Sequence, residues 1–111
     1  MEKIGIDTTI FIYLFEDHAR YVGAAERLLR EVSRGELSAV FSAIVLIELL
    51  TGPKKRGRND LAAEYREHLM AFPHLVIWGV TERVVEIASD LRASYGIATP
   101  DAIHLATAID F

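Results

Sequence analysis

The first apolar run of the chain reads IGIDTTIFI over residues 4–12, and it determines the fold that we expect. An acid and two threonines interrupt the run, after which apolar residues resume. This pattern predicts a short buried strand, about Lys3 to Asp7, with Asp7 at its C-terminal tip. Thr9 would then cap a following helix that runs to Phe15, because threonine side chains accept backbone N–H groups at helix starts.

Two more β-like runs follow, Leu37–Phe41 and Leu75–Trp78, and helical patterns separate them. The predicted helices cover Arg20 to Arg34, Ala43 to Leu50, Asn59 or Asp60 to Phe72, Thr81 to Tyr95, and Thr99 onward. Their predicted caps are Ser42, Asn59 or Asp60, Thr81 and Thr99, and their predicted stops are Gly35, Gly52–Pro53, Pro73 and Gly96. Strands that alternate with helices indicate parallel βα units, so we expect a single α/β domain over residues 1–111.

Composition excludes several classes of protein. The 111 residues are 51% hydrophobic and include no cysteine, which rules out disulfides and cysteine-based zinc sites. No apolar run approaches the ~18 residues of a membrane span, and Met1-Glu2-Lys3 lacks the basic start and small-residue cleavage site typical of a signal peptide. We therefore expect a cytoplasmic protein without membrane contact. The net charge is −4, unlike that of a generic nucleic-acid binder. A polyanionic partner would therefore need a bridging divalent cation.

Three acids occupy unusual positions. Asp7 follows the first strand, Glu48 is the one charge within an aliphatic helix, and Asp101 stands at the start of the last helix. Because parallel strands end at the same edge of a sheet, we expect these acids to converge there. Carboxylate oxygens suit Mg²⁺ or Mn²⁺, and three carboxylates would repel one another without a cation.

Each feature also has a structural explanation. Asp7 could serve only in a turn or cap, Asp101 could favour the helix dipole, and Glu48 could lie on an exposed edge of its helix. The basic loop after the Glu48 helix could be a solvated turn or could contact phosphates. Its cationic side chains are Lys54, Lys55, Arg56 and Arg58. His104 lies one turn beyond Asp101, where a groove histidine is favoured over a general base.

Three motifs together resemble those of PIN-domain proteins, particularly VapC-type toxins. They are Ile6-Asp7-Thr8-Thr9, Ile47-Glu48-Leu49-Leu50-Thr51-Gly52, and Thr99-Pro100-Asp101-Ala102-Ile103-His104-Leu105-Ala106-Thr107-Ala108. The resemblance implies a three-layer α/β/α sandwich with a central parallel sheet and a metal-dependent ribonuclease site. It places Asp7, Glu48 and Asp101 at three acidic positions of that site. Thr9 matches a polar position that could orient Asp7 or a metal-bound water.

The same resemblance implies a toxin that a cognate antitoxin neutralises, and a common tendency to form homodimers. It also implies a further strand with a fourth acid beyond the Asp101 helix. The sequence ends at Phe111, before that strand, and Asp110 does not match the fourth position. We therefore expect a form truncated at the C-terminus, without the last strands of the fold. Strand one would then be an exposed apolar edge unless another chain covers it.

The leading hypothesis is thus a Mg²⁺- or Mn²⁺-dependent endoribonuclease in which Asp7, Glu48 and Asp101 hold the metal. The alternative is a catalytically weak PIN-like domain that binds an antitoxin or RNA. A phosphatase with two aspartates separated by one residue is disfavoured, because Thr9 occupies the place of the second aspartate.

Overall fold

The computed structural model describes residues 2–111 and has three parallel strands at its centre. These are β1 (Glu2–Gly5), β2 (Leu37–Ser42) and β3 (Leu75–Trp78), in the spatial order β1-β2-β3. In the register of the sheet, Ala39 of β2 pairs with Ile4 on one side and with Leu75 on the other. The predicted bounds of β3 are confirmed, whereas β1 starts and ends earlier than predicted and β2 runs one residue longer.

Within the described residues, six helices cover the sheet: α1 (Thr8–Phe15), α2 (Val22–Ser33), α3 (Ile44–Lys55), α4 (Asn59–Ala71), α5 (Glu82–Tyr95) and α6 (Thr99–Asp110). Helices α1 to α4 pack on one face of the sheet, and the α5–α6 pair packs on the other. Side chains alternate between the faces of a strand, so neighbouring residues of one strand enter different layers. The prediction of an α/β/α sandwich with a central parallel sheet is confirmed.

The two faces carry cores of different size. The core under α1 to α4 contains Ile6, Phe11, Leu29, Val32, Ala39, Phe41, Val45, Leu49 and Leu69. The core of the α5–α6 pair contains Val84, Ala88, Ala102 and Ala106, with Trp78, Ile87, Leu91 and Ile103 packed against it. The first core is built from large aliphatic and aromatic side chains, and the second mostly from alanines, which lets α5 and α6 approach each other closely.

Several predicted helix caps are wrong by one or two residues. Asp7, not Thr9, is the N-cap of α1, because the Asp7 carboxylate accepts the N–H of Thr9. Ala98 rather than Thr99 precedes α6, and Arg58 rather than Asn59 or Asp60 precedes α4. Thr81 is the N-cap of α5, as predicted, and accepts the N–H of Val84. Ser42 accepts the N–H of Ile44, but Ala43 occupies the N-cap position of α3.

The predicted stop of α3 at Gly52–Pro53 is also wrong. The helix continues to Lys55, and the N–H groups of Arg56 and Arg58 bond to carbonyls of that last turn. Proline removes one hydrogen bond and disfavours a helical predecessor. Pro53 is buried, however, and its packing outweighs this local preference.

Strand β1 lies at an edge of the sheet formed by residues 2–111, as predicted. Glu2 and Lys3 are exposed on this strand, so its edge is only partly apolar, and charged residues of this kind disfavour pairing with another strand. Within the same described residues, no helix has both the length and the apolar character needed to cross a lipid bilayer.

Candidate functional site

A cleft of about 420 Å³ opens at the end of β1, between α1, α2 and α6. Its lining comprises Gly5, Ile6, Asp7, Ile10, Leu28, Asp101, His104, Leu105 and Ala108. Asp7 lies two residues beyond the end of β1, as the N-cap of α1, and not at the strand tip as predicted. The first turn of α6 contributes Asp101. Two of the three predicted acids therefore share one cleft, although 94 positions separate them in the sequence.

Asp7 is held by its own helix. Its Oδ1 accepts the N–H of Thr9 at 3.0 Å, and the side chain is exposed to solvent at the mouth of the cleft. A capping carboxylate of this kind satisfies one of the N–H groups left free at a helix start. Within residues 2–111, Asp7 forms no other side-chain hydrogen bond. Its second oxygen is therefore available to a ligand in the cleft.

Asp101 lies in the first turn of α6, directly after Pro100. Its side chain is exposed and forms no hydrogen bond or ion pair to any part of residues 2–111. The helix dipole favours a carboxylate at this position. The dipole therefore stabilises Asp101 as an anion, while its exposed oxygens remain accessible from the cleft.

Glu48 lies at the margin of this cleft and not in its lining. Its Oε1 accepts a hydrogen bond of 2.7 Å from the Thr8 hydroxyl and lies 3.2 Å from Nε2 of His104. His104 in turn lines the cleft beside Asp101. The third predicted acid is thus connected to the other two through Thr8 and His104.

The three acids are near one another but do not form an assembled metal site. Among residues 2–111, no three side chains of the histidine, cysteine, aspartate and glutamate types are close enough together to hold a metal ion. The donors nevertheless suit a hard divalent cation in kind, because they are carboxylate oxygens. Asp7 and Asp101 are exposed and can change rotamer toward a ligand between them.

Sequence reasoning missed the roles of Thr8 and His104. His104 follows Asp101 by three residues, which places both on one face of a helix and could have indicated that they share the cleft. No local signal relates either residue to Glu48, which lies on α3, 40 positions from Thr8 and 56 from His104.

The basic residues after Glu48 lie in the last turn of α3 and the turn that follows it. Arg56 and Glu48 line the same small hollow beside Tyr65, so Arg56 is the loop cation placed next to a predicted site acid. Arg58 instead pairs with Asp60 at 3.1 Å, and this hydrogen bond lowers the pKa of Asp60 and raises that of Arg58. The positive charge of Arg58 is therefore partly offset by the Asp60 carboxylate.

Comparison with known proteins identifies the family of the chain. The family model of the PIN domain matches residues 4–110. A solved structure described as "Toxin-antitoxin complex from Klebsiella pneumoniae" contains a similar chain, with 27% sequence identity and a TM-score of 0.69, over 98% of this chain and 78% of that chain. No curated protein matches the sequence at a significant level. The fold of the chain, the order of its motifs and the match of the family model along nearly its whole length show that the chain belongs to the PIN domain family.

Proposed function

We propose that this protein is a metal-dependent endoribonuclease and the VapC-type toxin of a toxin–antitoxin pair. The observation that carries the proposal is the meeting of Asp7 and Asp101 in one cleft of a PIN domain, with Glu48 connected to it through His104. The similarity to a chain from a toxin–antitoxin complex supports the biological role.

In this proposal, Asp7 and Asp101 would hold Mg²⁺ or Mn²⁺, and Glu48 would join them directly or through a water. The chemistry supplied by the bound cation would be activation of a water for in-line attack on a phosphodiester and stabilisation of the charge that develops on the phosphate. The chain itself holds the carboxylates in place through the α1 cap, the α6 start and the contacts of Glu48. Arg56, beside Glu48, contacts an RNA phosphate and so orients the backbone.

A cleavage assay tests the proposal. Purified protein should cleave single-stranded RNA in the presence of Mg²⁺ or Mn²⁺, and the cleavage should stop when EDTA is added. Asp7→Asn and Asp101→Asn should each reduce the rate by more than the ~10–100-fold that is typical for groups outside the metal's own ligands. Asp90→Asn, an exposed acid on α5, is the matched control and should cleave at the native rate. Native activity in Asp7→Asn would contradict the assignment.

A second candidate is a catalytically weak PIN domain that only binds an antitoxin or RNA. It is favoured by the lack of three sufficiently close metal-binding side chains in residues 2–111. Calorimetric titration with Mn²⁺ separates the two candidates. Saturable binding that Asp101→Asn abolishes supports the nuclease, and its absence from the native protein supports the binding domain.

The proposal includes protein partners as well as RNA. The antitoxin partner is inferred from the similar chain in the toxin–antitoxin complex. An open apolar groove of about 390 Å³ on α1, α2 and α4, which includes the half-buried Phe15 and Tyr65, supports a protein partner, because such grooves can bind the apolar face of a partner helix. We also propose a homodimer, which light scattering on the purified chain would detect as twice the 12.4 kDa mass.

A further inference from the structure

His104 connects the two parts of the candidate site. Its side chain is only 14% exposed, and it lines the cleft that contains Asp7 and Asp101. Its Nε2 atom lies 3.2 Å from Oε1 of Glu48, which belongs to a different helix. The imidazole therefore joins α6 to α3 beside the cleft that contains Asp7 and Asp101.

The contact determines which ring nitrogen carries the proton. A carboxylate oxygen only accepts hydrogen bonds, so the Nε2 atom that faces Glu48 must be the donor. The other nitrogen, Nδ1, is buried and has no hydrogen-bond partner in the described part of the chain, residues 2–111. Buried polar atoms are normally paired, and a histidine serving only the core would be expected to satisfy both nitrogens. The polar contact that accounts for the orientation of this ring is the one to Glu48.

Thr8 acts on the same oxygen. Its buried hydroxyl donates to Oε1 of Glu48 at 2.7 Å, from the first turn of α1. Two donors from two helices thus meet at one carboxylate oxygen. The other oxygen, Oε2, accepts no hydrogen bond from residues 2–111, and the Glu48 side chain is 43% exposed. Donors fixed in this way set the direction of a carboxylate.

We propose that His104 is a positioning residue that, together with Thr8, holds Glu48 by Oε1 and leaves Oε2 free for a ligand. The contact itself is a property of the metal-free protein. Its consequence for cation affinity rests on the proposed metal-dependent function. A metal titration and a metal-free measurement therefore test the two parts separately.

The first experiment titrates Mn²⁺ alone into the purified protein by calorimetry. His104→Leu removes the donor, and it should weaken Mn²⁺ binding by the ~10–100-fold that loss of an outer contact costs. His104→Gln keeps an N–H donor at a similar reach and should stay close to the native affinity. His68→Leu, which replaces an exposed histidine on α4, is the matched control. Native affinity in His104→Leu, or equal losses in the Leu and Gln variants, would overturn the role of the donor.

The second experiment records ¹⁵N chemical shifts of the imidazole in the metal-free native protein, at a pH above the range in which histidines titrate. We expect the Nε2–H tautomer for His104, and a shift of its Nε2 signal in Glu48→Gln but not in Glu64→Gln. Glu64 is an exposed acid on α4 and serves as the control. The Nδ1–H tautomer, or no response to Glu48→Gln, would overturn the proposal. If the native protein shows the expected tautomer but binds no Mn²⁺, the proposed function fails, whereas the positioning of Glu48 by His104 remains supported.

Discussion

A Cβ atom added to Gly5 would lie 2.6 Å from the Cβ atom of Ala108, so β1 and α6 approach each other at a distance that only glycine allows. Real Cβ atoms essentially never come this close, and neither partner here is a flexible side chain that could move aside. Both residues line the candidate cleft. The close approach therefore sets the position of the helix that carries Asp101 and His104.

Gly5→Ala should consequently destabilise the protein by about 1–3 kcal/mol, the usual cost of overpacking. Urea unfolding followed by circular dichroism measures this change. Gly23→Ala is the control, because a Cβ atom there meets nothing within 4 Å and α2 should gain about 0.4–1 kcal/mol. Adding Ala108→Gly to Gly5→Ala should restore part of the loss. A Gly5→Ala protein as stable as the native one would show that α6 shifts freely.

Thr8→Val tests the hydrogen bond between α1 and α3. The two side chains have similar volumes, so the loss of the bond to Glu48 should dominate and cost about 1–2 kcal/mol of unfolding free energy. Thr51→Val on α3 is the control, since the exposed Thr51 hydroxyl bonds only within its own helix, to Ile47. Its effect should remain within about 0.5 kcal/mol. Equal effects of the two variants would contradict a specific bond between the helices.

Asp110 connects the end of α6 to the sheet and to α5. Its Oδ2 accepts from the Trp78 indole at 2.8 Å, its Oδ1 pairs with Arg83, and its side chain is only 9% exposed. Asp110→Ala leaves the indole N–H without its partner, so we expect a loss of about 1–3 kcal/mol in thermal or urea unfolding. Arg83→Ala should cost less than about 1 kcal/mol, because the arginine is 76% exposed. The opposite order would refute this interpretation.

The basic residues beside Glu48 should contribute unequally to RNA binding. Arg56→Ala should weaken the affinity of the protein for a non-hydrolysable single-stranded RNA analogue at a fixed Mg²⁺ concentration, and it should reduce the magnitude of the slope of log K against log salt by about 0.7. Arg58→Ala should change this slope less, since Asp60 already pairs with Arg58. Fluorescence anisotropy over a range of NaCl concentrations measures both slopes. Equal slopes for the native protein and Arg56→Ala would exclude a phosphate contact at Arg56.

Local signals sufficed for much of the fold. Strand β3 is a pure apolar run between turn residues, and its bounds are as predicted. Gly96 adopts a left-handed conformation with φ of 65° at the end of α5, which is the conformation that makes glycine a helix stop. At these places the sequence preference and the tertiary structure agree, so the pattern alone was enough.

The errors occur where tertiary packing or a competing side chain decides the outcome. Burial of Pro53 accompanies the extension of α3 past a sequence typical of a helix end. Asp7 supersedes Thr9 as the cap because it precedes the helix and offers a carboxylate. The relation between Glu48 and His104 depends on how α3 and α6 are placed across the fold, which no window of sequence contains. The sequence could thus predict that the acids lie near the same edge of the sheet, but not which side chains contact one another there.

The residues of the cleft are carried by helices that pack on two cores of different size, and these helices therefore differ in local stability. Asp7 and Glu48 belong to α1 and α3, above the large core, whereas Asp101 and His104 are carried by α6, on a core of alanines and one valine. Segments with less buried apolar surface open first in native-state hydrogen exchange, often as a cooperative foldon. We therefore expect the amides of α5 and α6 to exchange before those of α1 and α3 in native-state hydrogen exchange. On this expectation, the cleft opens through the α5–α6 pair without global unfolding of the protein.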